Sequence, residues 1–289
     1  MIQKEELALI QKVQMLIMDD IHRVCVSKGY RYYLIGGSAL GAVRHKGIIP
    51  WDIDIDIAMP RKDYEAFVLE GSKGLKDCFA VHDYRSDKTF GTVHALVVLK
   101  QSTLLFKEDL KSENRANRYG VFVDILPLDQ FPDNCKLKRK QINDLKKINL
   151  LRYFYLGSIE KNDSAFERLI KKIIQKMLHC LFSIQTINRW QQQIVQRFDT
   201  EDEGKVWCSM LSHYSIDKLT MPKDFFGKPK LVEFSGRQYY VPEKTDEYLT
   251  QLFGDYMRLP SEEQQIKQMD SVYYACWYDN DKKNEIKNY

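Results

Sequence analysis

Between residues 3 and 28 the apolar side chains Leu7, Ile10, Val13, Ile17, Ile21 and Val24 recur at intervals of three and four. That spacing lines one face of an α-helix. Gly29 follows, and a glycine that can take positive φ is a natural stop for such a helix. Tyr32–Ile35 is a short aromatic and apolar run that predicts a strand. Gly36-Gly37-Ser38 predicts a tight turn and Ala39–Arg44 a short helix. From Asp52 to Ile57 polar and apolar residues alternate strictly, which predicts a strand with Ile on one face and Asp on the other. Pro60 ends that run, Lys62–Leu69 has a helical pattern, and Val93–Leu99 and Val121–Leu126 read as two more strands. Strands interleaved with helices over the first 130 residues predict an α/β (α+β) domain.

After Pro132 the composition shifts. Asn134–Arg189 holds thirteen Lys or Arg against four Asp or Glu, while the whole chain is only +4, so the remainder is net negative. The basic stretch is mostly helical in pattern, with Phe166, Leu169, Ile170, Ile173, Ile174, Met177, Leu178 and Leu181. It has two readings: a solvated charged face, or a basic amphipathic surface that makes peripheral contact with anionic lipid. Phe234–Val241 predicts a hairpin and Asp246–Phe253 a helix. The shift divides the chain into a core over 1–132 and a helical and mixed region over 133–289 that packs on it.

With 44% apolar and 12% aromatic residues, the 289-residue chain can bury a sizeable core, which excludes a wholly disordered chain or a disulfide-held miniprotein. The near-neutral balance argues against a nucleic-acid partner. Cysteines at 25, 78, 135, 180, 208 and 276 form no CxxC pair and read as reduced thiols. The acidic start, Met1 to Glu6, is unlike a signal peptide, and the longest charge-free runs, Tyr32–Val43 and Met177–Asn188, are about twelve residues. A membrane-crossing helix needs about 20. The expectation is a cytoplasmic protein, with contact at the inner membrane face left open.

The candidate chemistry sits on Asp52, Asp54 and Asp56. On a strand these carboxylates share one face, with neighbours roughly 7 Å apart. Three unpaired anions repel, and a hard cation such as Mg²⁺ or Mn²⁺ would relieve them; the alternative is a solvated strand face. Asp124 stands inside the apolar run Val121–Leu126 and needs a partner there, either backbone donors, an arginine, or the same metal. Gly36-Gly37-Ser38 lies between a predicted strand and a predicted helix, where glycines and a helix N-terminus suit a phosphate. It matches neither a P-loop, nor GxGxxG, nor GxSxG.

The order strand, Gly-Gly-Ser, helix, Asp-x-Asp strand and later Asp strand resembles the nucleotidyltransferase superfamily. Ile35-Gly36-Gly37-Ser38-Ala39-Leu40-Gly41-Ala42-Val43-Arg44-His45-Lys46-Gly47-Ile48-Ile49-Pro50-Trp51-Asp52-Ile53-Asp54-Ile55-Asp56 is very similar to the motif of the LicD family of bacterial phosphocholine transferases, to which fukutin-type polyol-phosphate transferases are related. Val121–Asp129 resembles the family's second block. Tyr240-Val241-Pro242, Tyr248-Leu249 and Phe253–Pro260 resemble its C-terminal block. One departure is Ile53, where the family usually has a further Asp.

The resemblance implies a nucleotidyltransferase-like mixed sheet flanked by helices, with the 133–289 region completing the acceptor side. It implies transfer of a phospho-alcohol from a CDP-linked donor, CDP-choline favoured, to a hydroxyl of a glycan with CMP as leaving group. The acceptor would be a lipopolysaccharide, teichoic acid or capsule precursor, lipid-linked or free. Asp54 and Asp56 would be metal ligands for Mg²⁺ or Mn²⁺, and Asp124 a third ligand or the base. Gly36, Gly37, Ser38 and Arg44 would hold donor phosphate, with His45, Lys46 and Asp52 as further candidates. A choline group would need an aromatic cage, to which no residue is assigned; Trp51 is adjacent in sequence and equally suited to packing. The competing readings are an NTP-dependent nucleotidyltransferase and a non-catalytic glycan- or nucleotide-binding protein.

Overall fold

The computed structural model describes residues 4–86, 91–106, 120–157, 163–199, 204–269 and 272–277. Helix α1 (Lys4–Lys28) buries Leu7, Ile10, Val13, Ile17, Ile21 and Val24, each 2% exposed or less, and stops at Gly29, whose φ is 72°. The chain continues through β1 (Tyr33–Leu34), α2 (Gly36–Arg44), β2 (Asp56–Pro60), α3 (Arg61–Leu69), a 3₁₀ turn (Gly71–Gly74), β3 (Phe79–His82), β4 (Ala95–Leu99), β5 (Ser102–Phe106) and β6 (Phe122–Gln130). The helical layer follows as α4 (Cys135–Leu156), α5 (Ala165–Leu181) and α6 (Ile184–Val195). After it come β7 (Val206–Cys208), α7 (Ile216–Leu219), β8 (Thr220–Pro222), α8 (Lys223–Phe226), β9 (Lys230–Phe234), β10 (Arg237–Val241), α9 (Thr245–Phe253), α10 (Glu262–Met269) and β11 (Val272–Trp277).

The main sheet runs β1-β2-β6-β4-β3, with β7 paired to the far end of β6 and β8 to β7. β2 and β6 are parallel and the other pairs antiparallel. α1 packs on β4 and β6, and α3 on β2 and β6. This is the α/β (α+β) architecture expected from the alternation of strands and helices, and the mixed sheet with flanking helices that the family resemblance implies. No helix among the described residues is long and apolar enough to cross a membrane.

Two local expectations change. Gly36-Gly37-Ser38 is the first turn of α2 rather than a separate turn; Gly36 takes φ +53°, which a side chain would resist, and the helix starts directly behind β1. The predicted strand over 52–57 becomes regular only at Asp56, where β1 and β6 lie alongside. Upstream, the backbone is held by side chains of α1 instead. Gln11 Nε2 donates to the carbonyls of Ile49 and Asp52 at 3.2 and 2.8 Å, and Gln14 Nε2 to that of Ile53 at 2.8 Å. The alternation survives as burial: Ile55 and Ile57 are fully buried while Asp54 and Asp56 keep partial exposure.

The later elements are stitched onto this frame. The β9–β10 hairpin turns at Ser235 and Gly236, with φ of 53° and 74°, the two left-handed positions of a type I′ turn. Asp19 of α1 anchors it, accepting from Tyr239 Oη at 2.6 Å and Arg237 Nε at 2.8 Å. α9 packs on α2. In the helical layer, Arg152 Nη2 donates to Gly91 O and Gln192 Nε2 to Val93 O, both at 2.6 Å, fixing the approach to β4.

Candidate active site

The parallel pairing of β2 with β6 places Asp56 opposite Asp124 and Ile57 opposite Ile125. Side chains alternate with period two, so the two carboxylates share one face and the two isoleucines enter the core. Asp54 reaches the same point from the extended segment before β2. Oxygens of Asp54, Asp56 and Asp124 lie within 4.8 Å of one another. β4 pairs with β6 on its other side and brings in His94, whose Nε2 is 2.6 Å from Asp124 Oδ1. The cluster floors a cavity of about 200 Å³, closed by Tyr214, Tyr248 and Leu252. Tyr214 also lines a second cavity of about 670 Å³, which extends past Gly37, Trp51 and Asp52.

The first turn of α2 faces this region. The Gly36 N–H donates to Tyr248 Oη at 2.9 Å. The N–H groups of Gly37 and Ser38 have no acceptor inside the helix, as in any first helical turn. Ser38 is buried, and its Oγ accepts the Asp56 N–H at 2.9 Å, so it ties α2 to the head of β2. A Cβ on Gly37 would stand 2.6 Å from Asp52 Oδ2, and one on Gly36 3.5 Å from Asp56 Oδ2. Gly37 therefore lets the Asp52 carboxylate approach the helix start, whereas at Gly36 the contact is of ordinary length and the glycine is needed for its φ of +53°.

The electrostatics follow from crowding. Burial, and then the neighbouring carboxylates Asp56, Asp52 and Asp124, push the Asp54 carboxyl well above the usual range. Burial, Asp124 and Asp52 do the same to Asp56. Tyr214 is pushed up to about 12 by burial and by Asp56, Asp52 and Asp54. Such a cluster fits a hard divalent cation: all its donors are carboxylate oxygens, the ligands such a cation prefers, and they lie within 4.8 Å of one another.

Residues 29–151 match the family described as LicD/FKTN/FKRP, nucleotidyltransferase domain. Over 257 residues the chain is 30% identical to the lipopolysaccharide cholinephosphotransferase LicD of Haemophilus influenzae, covering 88% of this chain and 92% of that protein. The chain belongs to the LicD family. A shorter stretch of 40 residues, 14% of this chain and 8% of the other, is 52% identical to the human ribitol 5-phosphate transferase FKRP.

In this LicD-family chain the structure brings Asp54, Asp56 and Asp124 together, and Asp52 stands at the edge of that group, paired with the Asp54 carboxyl. Asp52 is 5% exposed and lines the larger cavity, where its Oδ1 accepts from Ile53 N at 3.1 Å and Gln268 Nε2 at 2.8 Å. Arg44 also lines that cavity, and its Nη1 donates to the carbonyls of Tyr256 and Arg258 at 2.9 and 3.2 Å. It thereby fastens the Phe253–Pro260 block as a wall over α2. His45 stacks edge-on against Trp51 at 5.6 Å. Lys46 is exposed, with φ +57°, and its carbonyl accepts from Ser235 N; its backbone joins the hairpin and its side chain is outside both cavities.

His94 and Tyr214 are members of the site that sequence reasoning missed. His94 carries no metal-type spacing; its one signal is a polar residue heading the apolar run Ala95–Leu99. Tyr214 comes from a segment with no local pattern. Tyr248 belongs to the C-terminal block quoted for the resemblance, but its bond to Gly36 is visible only in three dimensions.

Proposed function

We propose that this chain is a divalent-metal-dependent phosphotransferase. It moves a phospho-alcohol, phosphocholine in first place, from a CDP-linked donor to a hydroxyl of a cell-surface glycan precursor and releases CMP. One observation carries the reading: Asp54, Asp56 and Asp124 converge within 4.8 Å beside the open first turn of α2. The naming of the Haemophilus relative for cholinephosphotransfer to lipopolysaccharide supports the choline and the glycan, and that of the human relative for ribitol 5-phosphate transfer supports the wider reaction class.

The three aspartates would hold Mg²⁺ or Mn²⁺, which when bound supplies positive charge to the donor diphosphate. The N–H groups of Gly37 and Ser38 donate to donor phosphate oxygens, helped by the positive end of α2. Arg44 keeps the wall of the larger cavity in place. We assign that cavity to the alcohol: Trp51, Tyr214, Phe253 and Tyr256 line it with the aromatic side chains a quaternary ammonium needs, and its charged lining is mixed, Asp52 and Asp255 with Arg44 and Arg258. The acceptor oxygen forms its bond to the alcohol-bearing phosphorus as the bond from that phosphorus to the CMP oxygen breaks. The acceptor proton passes to a carboxylate, for which Asp124, oriented by His94, is the candidate where it is not itself a ligand.

The test is CMP release by the purified chain with Mg²⁺ or Mn²⁺ and a panel of CDP-choline, CDP-glycerol and CDP-ribitol, with candidate glycan acceptors. Metal-dependent CMP from one donor, lost in Asp54→Ala and Asp124→Ala, is expected. Pyrophosphate release from an NTP with no CMP from any donor would replace this reading with nucleotidyl transfer. Neither product from folded, metal-binding protein would favour a binding protein.

A further inference from the structure

Helix α5 has two apolar faces, and the fold uses one. Gln175 and Leu178 are buried and Ile174 is half-buried on the side that meets α4, the helix on which α5 chiefly packs. On another side Phe166, Leu169, Ile173, Met177 and Leu181 follow at intervals of three and four and stand 55–70% exposed. A soluble surface helix usually keeps its large apolar side chains on one buried stripe; a second, exposed stripe of this length marks an interaction surface.

Charge identifies what would cover it. α4 carries seven Lys or Arg against one Asp, and α5 four against one Glu. Lys136, Arg139, Lys140, Lys146 and Lys147 of α4 and Lys172 and Lys176 of α5 are exposed. A second copy of the chain would bring the same cations against these. An anionic bilayer would offer phosphates to the lysines and hydrocarbon to the stripe, the combination that holds an amphipathic helix in the headgroup region.

We propose that α5 docks this protein on anionic membrane surfaces. Phe166, Leu169, Ile173, Met177 and Leu181 enter the boundary between headgroups and acyl chains, and the lysines of α4 and α5 lie against lipid phosphate. The inference does not depend on the reaction catalysed.

The experiment is co-sedimentation of the full chain with vesicles of phosphatidylglycerol and phosphatidylcholine, beside vesicles of phosphatidylcholine alone, at low and high salt. Binding to the mixed vesicles that weakens as salt rises is expected. Phe166→Ser/Ile173→Ser should weaken it by about tenfold or more, and Lys172→Gln/Lys176→Gln by about tenfold. All four positions are exposed, so circular dichroism and the thermal midpoint should stay as in the wild type. As a second readout, an environment-sensitive dye on exposed Cys180, with Cys78, Cys135 and Cys276 replaced by serine, should shift to the blue on mixed vesicles. Three results would overturn the proposal. One is no binding to mixed vesicles at low salt. Another is binding that the Phe166→Ser/Ile173→Ser variant keeps in full. The third is a concentration-dependent dimer lost in that variant without vesicle binding, which would assign the stripe to a second copy.

Discussion

Without metal, the aspartate cluster should be a destabilising element of the fold, and Asp54→Asn tests this directly. Two unit charges no more than 4.8 Å apart repel by about 3.5 kcal/mol or more at an effective dielectric of about 20. Proton uptake relieves part of this, as the raised Asp54 and Asp56 carboxyls require, which leaves about 1–3 kcal/mol for the substitution to recover. Asparagine keeps the shape, and its amide can donate to Asp52, the carboxylate already paired with Asp54. In EDTA near neutral pH the variant should therefore melt above the wild type, by roughly 2 °C per kcal/mol for a chain of this length. The pH dependence has a definite sign. Folded Asp54 and Asp56 bind protons more tightly than the unfolded chain does, so metal-free wild-type stability should rise as pH falls from neutral toward the ordinary carboxylate range, and Asp54→Asn should flatten that slope. Saturating Mg²⁺ should act the other way. At a hundredfold excess over Kd it stabilises the wild type by about 2.7 kcal/mol, and each tenfold of affinity lost by the variant removes about 1.4 kcal/mol of that gain. Differential scanning fluorimetry over pH, with EDTA and with Mg²⁺, reads all of this. A variant that melts below the wild type in EDTA, or an equal metal-induced gain in both proteins, would refute the reasoning.

Three further substitutions probe the supports of the site. Gly37→Ala should lower stability by about 1–3 kcal/mol, because its Cβ would meet Asp52 Oδ2 at 2.6 Å, and Asp52→Ala in the same chain should restore most of the loss in a denaturant titration. Tyr248→Phe removes the acceptor of the buried Gly36 N–H and should cost about 1–3 kcal/mol, with slower CMP release from a loosened α2 start. Asp199 is pushed up to about 8 by burial and by Asp129. The folded state thus keeps a proton there that the unfolded chain releases near 3.8, and stability falls between these pH values. Asp199→Asn should therefore gain on the wild type as pH rises from about 5 to 8, measured as the difference in urea midpoints.

Local periodicity made α1 readable to within a residue, because its buried face is set by intervals along one helix. The Asp run was readable as a chemical feature but not as a strand. Alternation reports which side chains are buried, whereas a ladder also needs a neighbour, and before Asp56 that neighbour is the pair Gln11 and Gln14 of a helix about 40 residues away. For the same reason Asp52, read as sharing a face with Asp54 and Asp56, lines the other cavity. Asp124 stood out through its cost inside an apolar strand. The partner that meets it, His94, depends on antiparallel pairing with β4, which nothing near either residue encodes. The C-terminal block entered only as a resemblance. Its physical role, closing the larger cavity through Arg44 and holding Gly36 through Tyr248, rests on contacts more than 200 residues apart.

The register that assembles the carboxylates is fixed at the opposite end of the same two strands. β2 passes directly into α3, so Arg61, its first residue, is tied to the end of β2. From there Arg61 grips Asp129 on β6 with two bonds, Nε to Oδ1 at 2.6 Å and Nη2 to Oδ2 at 2.8 Å, with Asp129 fully buried. Asp129 lies five residues beyond Asp124, an odd interval that sends it to the other face of the sheet. One strand thus carries a stable ion pair on one face and a repelling cluster on the other. A slip of β6 by one residue would turn Asp124 away from Asp56 and would also break the Arg61–Asp129 fork. A buried charge stripped of its partner costs about 3–5 kcal/mol, comparable to the repulsion the slip would relieve. The slip would also lose the core packing of Ile125 and Val123, both fully buried. The ion pair and core together hold β6 in the register that keeps Asp124 beside Asp56, whether or not a cation is there to neutralise them.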